Sequence, residues 1–83
     1  MSGCGEVRIV YMGYLAELAG GREKTVKVCG EARVRDIVGL EGVELEDLVI
    51  LINGRSAKPD STVRPGDKLT IMPHISGGHA KPL

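Results

Sequence analysis

Aromatic side chains are nearly missing from this sequence, which has no tryptophan, no phenylalanine and only two tyrosines, Tyr11 and Tyr14. That excludes a nucleic-acid platform of stacked aromatics interleaved with basic residues. Net charge is missing as well: eleven Lys and Arg balance eleven Asp and Glu. No overall field draws the chain to nucleic acid or to an anionic membrane. No apolar run approaches the length that spans a bilayer, and Met1-Ser2-Gly3-Cys4-Gly5 lacks the charged and apolar regions of a secretion signal. A cytoplasmic protein is the expectation. Cysteine is scarce. Cys4 and Cys29 do not make a disulfide framework, and their spacing matches neither a zinc knuckle nor a Cys-x-x-Cys redox pair. Adding His74 and His79 gives four scattered donors, so no metal site is expected and both thiols read as bystanders. With 83 residues there is room for one domain, burying roughly 60–65% of the unfolded chain's surface in a small core.

What is present is alternation, punctuated by glycine. Residues 6–14 read as a strand with Val7, Ile9 and Tyr11 on one face and Arg8, Val10 and Met12 on the other. Leu15-Ala16-Glu17-Leu18-Ala19 has helical composition but meets Gly20-Gly21, which predicts a single turn. Residues 23–29 alternate again, Val26 and Val28 inward and Thr25, Lys27 and Cys29 outward, so the two strands form an antiparallel hairpin. From Arg33 the period changes: Val34, Ile37, Val38 and Leu40 fit one stripe of a helix of about two to three turns, bounded by Gly39 and Gly42. Residues 41–47 form an acidic connector whose four carboxylates read as a solvated loop rather than as an acid/base pair.

Leu48-Val49-Ile50-Leu51-Ile52 is apolar on both faces, the mark of an interior strand. Asn53-Gly54 predicts a type I′ turn into a short strand over residues 55–58. Pro59-Asp60-Ser61-Thr62 makes a turn, and Pro65-Gly66 suits the centre of a type II turn. Residues 68–72 form the last strand, Leu69 and Ile71 facing in, until Pro73 ends regular pairing. The sum is an α+β domain with a mixed sheet of four to five strands packed on one short helix. The second sheet face then has no cover, and it carries Val10, Met12 and Met72, with Val49 or Leu51. That face is either ordinary surface or a docking patch.

After the last strand come His74-Ile75-Ser76-Gly77-Gly78 and then His79-Ala80-Lys81-Pro82-Leu83. Two glycines with no following element to turn towards fit either a frayed polar tail or an arm that must pass close to another backbone.

Taken in order, these features resemble the ubiquitin-like β-grasp sulfur carriers, and most closely the small subunit of molybdopterin synthase. The matching stretches are Leu15-Ala16-Glu17-Leu18-Ala19-Gly20 after the opening strand, Arg33-Val34-Arg35-Asp36 at the helix start, Ile52-Asn53-Gly54, Gly66-Asp67, and Met72-Pro73-His74-Ile75-Ser76-Gly77-Gly78. The resemblance implies a flexible leader over residues 1–5, a β-grasp domain over 6–74 and a tail over 75–83. It implies that Gly78 carries an acyl group, that Gly77 and Ser76 thread into partner channels, and that the carrier has no catalytic residue, metal or bound cofactor of its own.

The implied partners are a ubiquitin-activating-like adenylating enzyme that uses ATP, and either the large subunit of molybdopterin synthase or lysines of target proteins. Val10, Met12, Met72 and Ile75 are the candidate docking residues. Gly78 is bonded to His79 and has no free carboxylate. A peptidase that cuts between Gly78 and His79 is therefore also implied. A ubiquitin-like modifier joined through Gly78 to lysines, a thiamine-pathway carrier and a β-grasp binding module that uses no tail are the other readings of the same pattern. The opening strand departs from the family, carrying Tyr11-Met12-Gly13 where relatives often place phenylalanine.

Overall fold

A computed structural model of the chain describes residues 3–74. Strand β1 (Cys4–Tyr11) is followed by helix α1 (Leu15–Ala19) and strand β2 (Glu23–Cys29); strand β3 (Ala32–Arg33) then leads directly into helix α2 (Val34–Ile37). A 3-10 turn (Leu45–Asp47) precedes β4 (Leu48–Ile52), β5 (Arg55–Ala57), β6 (Thr62–Val63) and β7 (Lys68–Pro73). Five strands form one mixed sheet in the order β2-β1-β7-β4-β5, and β3 pairs with β6 in a separate two-stranded piece. The central pair β1 and β7 is parallel, Val10 opposite Thr70 and Tyr11 opposite Ile71, while every other pairing is antiparallel. The alternation of residues predicted the mixed α+β sheet, and the β-grasp arrangement is the one that the family resemblance implied.

The alternation decides which side of the sheet is covered. Val7, Ile9 and Tyr11 of β1, Val28 of β2, Ile50 of β4 and Leu69 and Ile71 of β7 are buried with Leu15 of α1 and Val34 and Val38 at α2. Each such side chain contributes about 1.5–3 kcal/mol when taken from water. Tyr11 is the one core residue with a polar end, and its hydroxyl donates to the Val38 carbonyl oxygen at 2.6 Å. The ammonium of Lys24 lies 5.8 Å from the centre of the Tyr11 ring.

Two expectations are corrected. Helix α2 has one turn rather than two or three, because the chain enters the left-handed region at Gly39 (φ 72°) directly after Val38 and again at Gly42 (φ 74°). The core side of the sheet is covered by this helix, by the single turn expected at Leu15–Ala19 and by the 3-10 turn. Cys4 and Cys29 are not bystanders: they form a disulfide. The two residues face each other across β1 and β2, and the neighbouring Gly30 N–H donates to the Gly3 carbonyl at 3.1 Å. Cys4 and Cys29 are therefore a non-hydrogen-bonded cross-strand pair, the position where opposed side chains approach most closely. Spacing along the chain carries no trace of this, since the partners are brought together only by hairpin register.

No helix among the described residues is long and apolar enough to cross a membrane. No group of three or more His, Cys, Asp or Glu among them is placed to hold a metal ion.

Candidate functional site: the exit of the C-terminal tail

The parallel pairing of β1 with β7 brings the ends of both strands to one corner of the sheet. There the Met12 N–H donates to the Ile71 carbonyl at 2.9 Å, one step beyond the last paired residues. Gly13 (φ 61°) turns the chain away into α1, and a Cβ built on it would lie 3.0 Å from Cγ of Pro73. A side chain at residue 13 would thus press on the residue from which the tail departs. Ile75, Ser76, Gly77, Gly78 and His79 lie outside the described residues, so what the structure supplies is the platform that launches them.

The uncovered sheet face leads up to this corner. Because Val7, Ile9, Tyr11, Leu69, Ile71 and Ile50 point into the core, Val10, Thr70, Met72, Val49 and Leu51 must point the other way. Register sets Val10 and Leu51 on either side of Thr70, and Val49 opposite Met72. All five are half-buried, forming a low apolar stripe across the three central strands. Along its β2 margin the Arg8 guanidinium is bonded to the Glu23 carboxylate at 2.8 Å, with Glu6 opposite Lys27 further back. Of the four docking residues expected from the sequence, Val10 and Met72 belong to this stripe, and Met12, 43% exposed, stands at its tail end. Val10 and Met12 also line a surface pocket of about 660 Å³ together with Gly13, Ala16, Arg22 and Glu23.

A second constellation holds the underside of the tail strand in place, and the sequence showed only its two turns. Asn53 (φ 53°) and Gly54 (φ 85°) turn β4 into β5. The Asn53 amide donates to Asp67 Oδ1 at 3.0 Å, its oxygen accepts the Lys68 N–H at 2.9 Å, and the Arg64 N–H donates to Asp67 Oδ2 at 2.8 Å. The Asn-Gly and Gly-Asp turns are thus one bonded unit that fixes the first residue of β7. These donors, the Arg64 N–H first and the Asn53 amide second, hold the Asp67 carboxyl below its ordinary value. Neither turn alone reveals the other; only their order in the chain hinted at a link.

The disulfide lies at the opposite end of β1 from the exit. It is on the uncovered face, because Cys4, Glu6, Arg8 and Val10 alternate with the core residues. Tyr11 is seven residue steps along β1 from Cys4, about 23 Å at strand rise. Five more from Pro73 to Gly78 reach at most about 18 Å. Gly78 therefore cannot meet that sulfur pair within its own chain.

Comparison with known proteins turns this geometry into an identity. The family model described as the ThiS family matches residues 9–78. The chain belongs to the ThiS family. The match takes in β1 from Ile9, the bonded turns, β7 and the tail, and it stops at Gly78 with residues 79–83 outside it. Among relatives of this ThiS-family chain, small archaeal modifier protein 1 of Haloferax volcanii is 32% identical, over 77% of this chain and 91% of the relative. The crystal structure of that Haloferax volcanii protein superposes with a TM-score of 0.71 and 28% identity, covering 89% of this chain and all of the other. A Pyrococcus furiosus protein named as molybdopterin converting factor, subunit 1, superposes with a TM-score of 0.66 and 26% identity over 86% of this chain and 99% of its own. The ubiquitin-like β-grasp fold and the carrier-or-modifier class follow, and this class is generally non-catalytic.

Proposed function

We propose that this ThiS-family chain is a sulfur carrier whose working group is the carboxylate of Gly78, freed by removal of residues 79–83. The observation that carries the reading is the end of the family match at Gly78, in a chain whose tail leaves a rigid corner beside an uncovered apolar stripe. A peptide-bonded glycine has no nucleophilic oxygen for ATP, whereas a free carboxylate attacks the α-phosphate, pyrophosphate leaves, and an acyl-adenylate results. A persulfide sulfur then displaces AMP, and a thiol reductant cleaves the new S–S bond to leave the thiocarboxylate. The enzymes that perform these steps are a ubiquitin-activating-like adenylating enzyme and a persulfide donor.

This chain's part is presentation. Gly77 and Gly78, lacking Cβ atoms, pass through narrow channels, while Val10, Met12 and Met72, continued by Ile75, dock the domain on its partner. The Pyrococcus furiosus neighbour's name favours molybdopterin synthesis as the destination, with the large synthase subunit as acceptor of the tail.

A second reading has its own support: the 32% identical relative is named a modifier. In that case a target lysine amine attacks the activated Gly78 carbonyl and AMP leaves, forming an isopeptide bond. Intact mass of the protein purified from its own cells tests the shared premise. The expected species ends at Gly78, and finding only the chain of 83 residues would overturn it. A thiocarboxylate on that species supports the carrier, and peptides branched at lysine through Gly78 support the modifier.

A further inference from the structure

Beside the tail's exit, on the far side of α1 from the pocket at Met12, lies a groove of about 510 Å³ to which neither function reading gives a role. Its walls are Tyr14 and Leu18 of the α1 region and Leu48 at the start of β4, with Glu44 and Asp47 along the connector and His74 at its lip. Tyr14 and Leu18 are 57% and 53% exposed, the two most exposed large apolar residues described. Neither Glu44 nor Asp47 forms an ion pair with a described cation. The groove therefore sets two exposed apolar side chains beside an acidic margin, and the last described residue sits on its edge.

Nine residues follow His74, since the chain runs to 83, and they reach at most about 32 Å when extended. Their make-up complements the groove: no acidic residue, one lysine at 81, and Pro82 and Leu83 beyond it. Gly77-Gly78 supplies a point at which the strand direction can reverse without steric cost. Tethering to His74 gives the segment a millimolar-scale local concentration, so a weak contact suffices to hold it.

We propose that residues 79–83 fold back and occupy this groove, with Pro82 and Leu83 against Tyr14 and Leu18 and the Lys81 ammonium against Glu44 and Asp47. The overhang is then more than an extension of the chain. It bends the tail away from the direction in which a partner's channel must receive it, and cutting after Gly78 both frees the carboxylate and straightens the arm. That consequence rests on the carrier reading, whereas the fold-back itself does not.

The experiment compares backbone amide NMR spectra of the full chain and of the chain ending at Gly78. Leu18, Val43 and Leu48, all remote in sequence from the cut, are expected to shift between the two. In the full chain the Lys81→Glu variant, which leaves the folded domain untouched, is expected to move these signals toward the truncated positions. The Glu44→Lys, Asp47→Lys double variant should do the same, as should about 1 M NaCl, where screening falls to roughly 3 Å. Unchanged Leu18, Val43 and Leu48 signals on truncation would overturn the proposal. So would differences that grow with protein concentration, which would assign the groove to the overhang of a second copy. No activating enzyme enters the measurement, so its outcome is independent of whether Gly78 is thiocarboxylated.

Discussion

At the scale of single residues, the side chains that matter most are the few polar groups that the fold cannot leave unpaired. Replacing Tyr11 with Phe leaves the Val38 carbonyl without its donor in a buried place, and a thermal melt is expected to show a loss of about 1–3 kcal/mol. Asp67→Ala removes the acceptor of two exposed hydrogen bonds at the bonded turns, with a smaller expected loss of about 1 kcal/mol at neutral pH.

The pH dependence of that second loss has a definite sign. A carboxyl held below its ordinary value of 3.8 stabilises the fold above that value and loses the contribution as pH falls through the folded one. The gap in Tm between wild type and Asp67→Ala is therefore expected to close as pH is taken below about 4 and to stay constant between pH 6 and 8. A gap that widened in acid would contradict the assignment. Arg35, bonded to Asp60 at 2.7 Å and to Glu46 at 3.3 Å, is held in its charged form by both. All three side chains are well exposed, so this cluster adds little to stability.

At the scale of elements, the disulfide and the turns show how far local pattern reaches. Reducing the Cys4–Cys29 bond, whose partners are 25 residues apart in sequence, removes a constraint worth about 3.5 kcal/mol in the chain-entropy account. A reductant, or the Cys4→Ser, Cys29→Ser pair, is expected to lower Tm by that equivalent. The tail should keep its reactivity, because the bond sits at the opposite end of β1 from the exit. Equal Tm with and without reductant would show that the bond contributes nothing.

β1, β2, β4, β7 and the one-turn α1 were legible in the sequence because each carries its own signal: alternation, a continuous apolar run, or a glycine stop at Gly20 (φ 82°). The disulfide was not legible, because it depends on which residue of β1 meets Cys29. Nor was the β3–β6 pair, whose two-residue strands have no period to read. The length of α2 was overread: Val34, Ile37, Val38 and Leu40 keep helical spacing, but the chain leaves the helix at Gly39 and Leu40 packs on the core from the loop.

At the scale of the whole molecule, one face of the sheet builds the core and the other is uncovered, and the docking proposed above assigns that second face to a partner. Charge placed in the stripe tests this division. Val10→Arg and Leu51→Arg replace half-buried side chains on the uncovered face, so each is expected to change stability by only about 1 kcal/mol. Each should weaken binding to the adenylating enzyme at least tenfold, as loss of a central interface contact does. A Leu51→Arg protein that bound normally would move the docking surface elsewhere. The sequence had already named Val10, Met12 and Met72 for this face, with Val49 or Leu51. The buried Ile50 between them and the register of β4 on β7 show that Val49 and Leu51 both belong to it.

The claim on which the functional reading depends is that the chemistry resides on Gly78 and requires its free carboxylate. The most direct measurement incubates the full chain, and separately the chain ending at Gly78, with the adenylating enzyme of the same cell, ATP and a persulfide donor, and weighs the products. The chain ending at Gly78 is expected to gain the mass difference between sulfur and oxygen, while the full chain stays unchanged. Modification of the full chain, or of neither, would contradict the account.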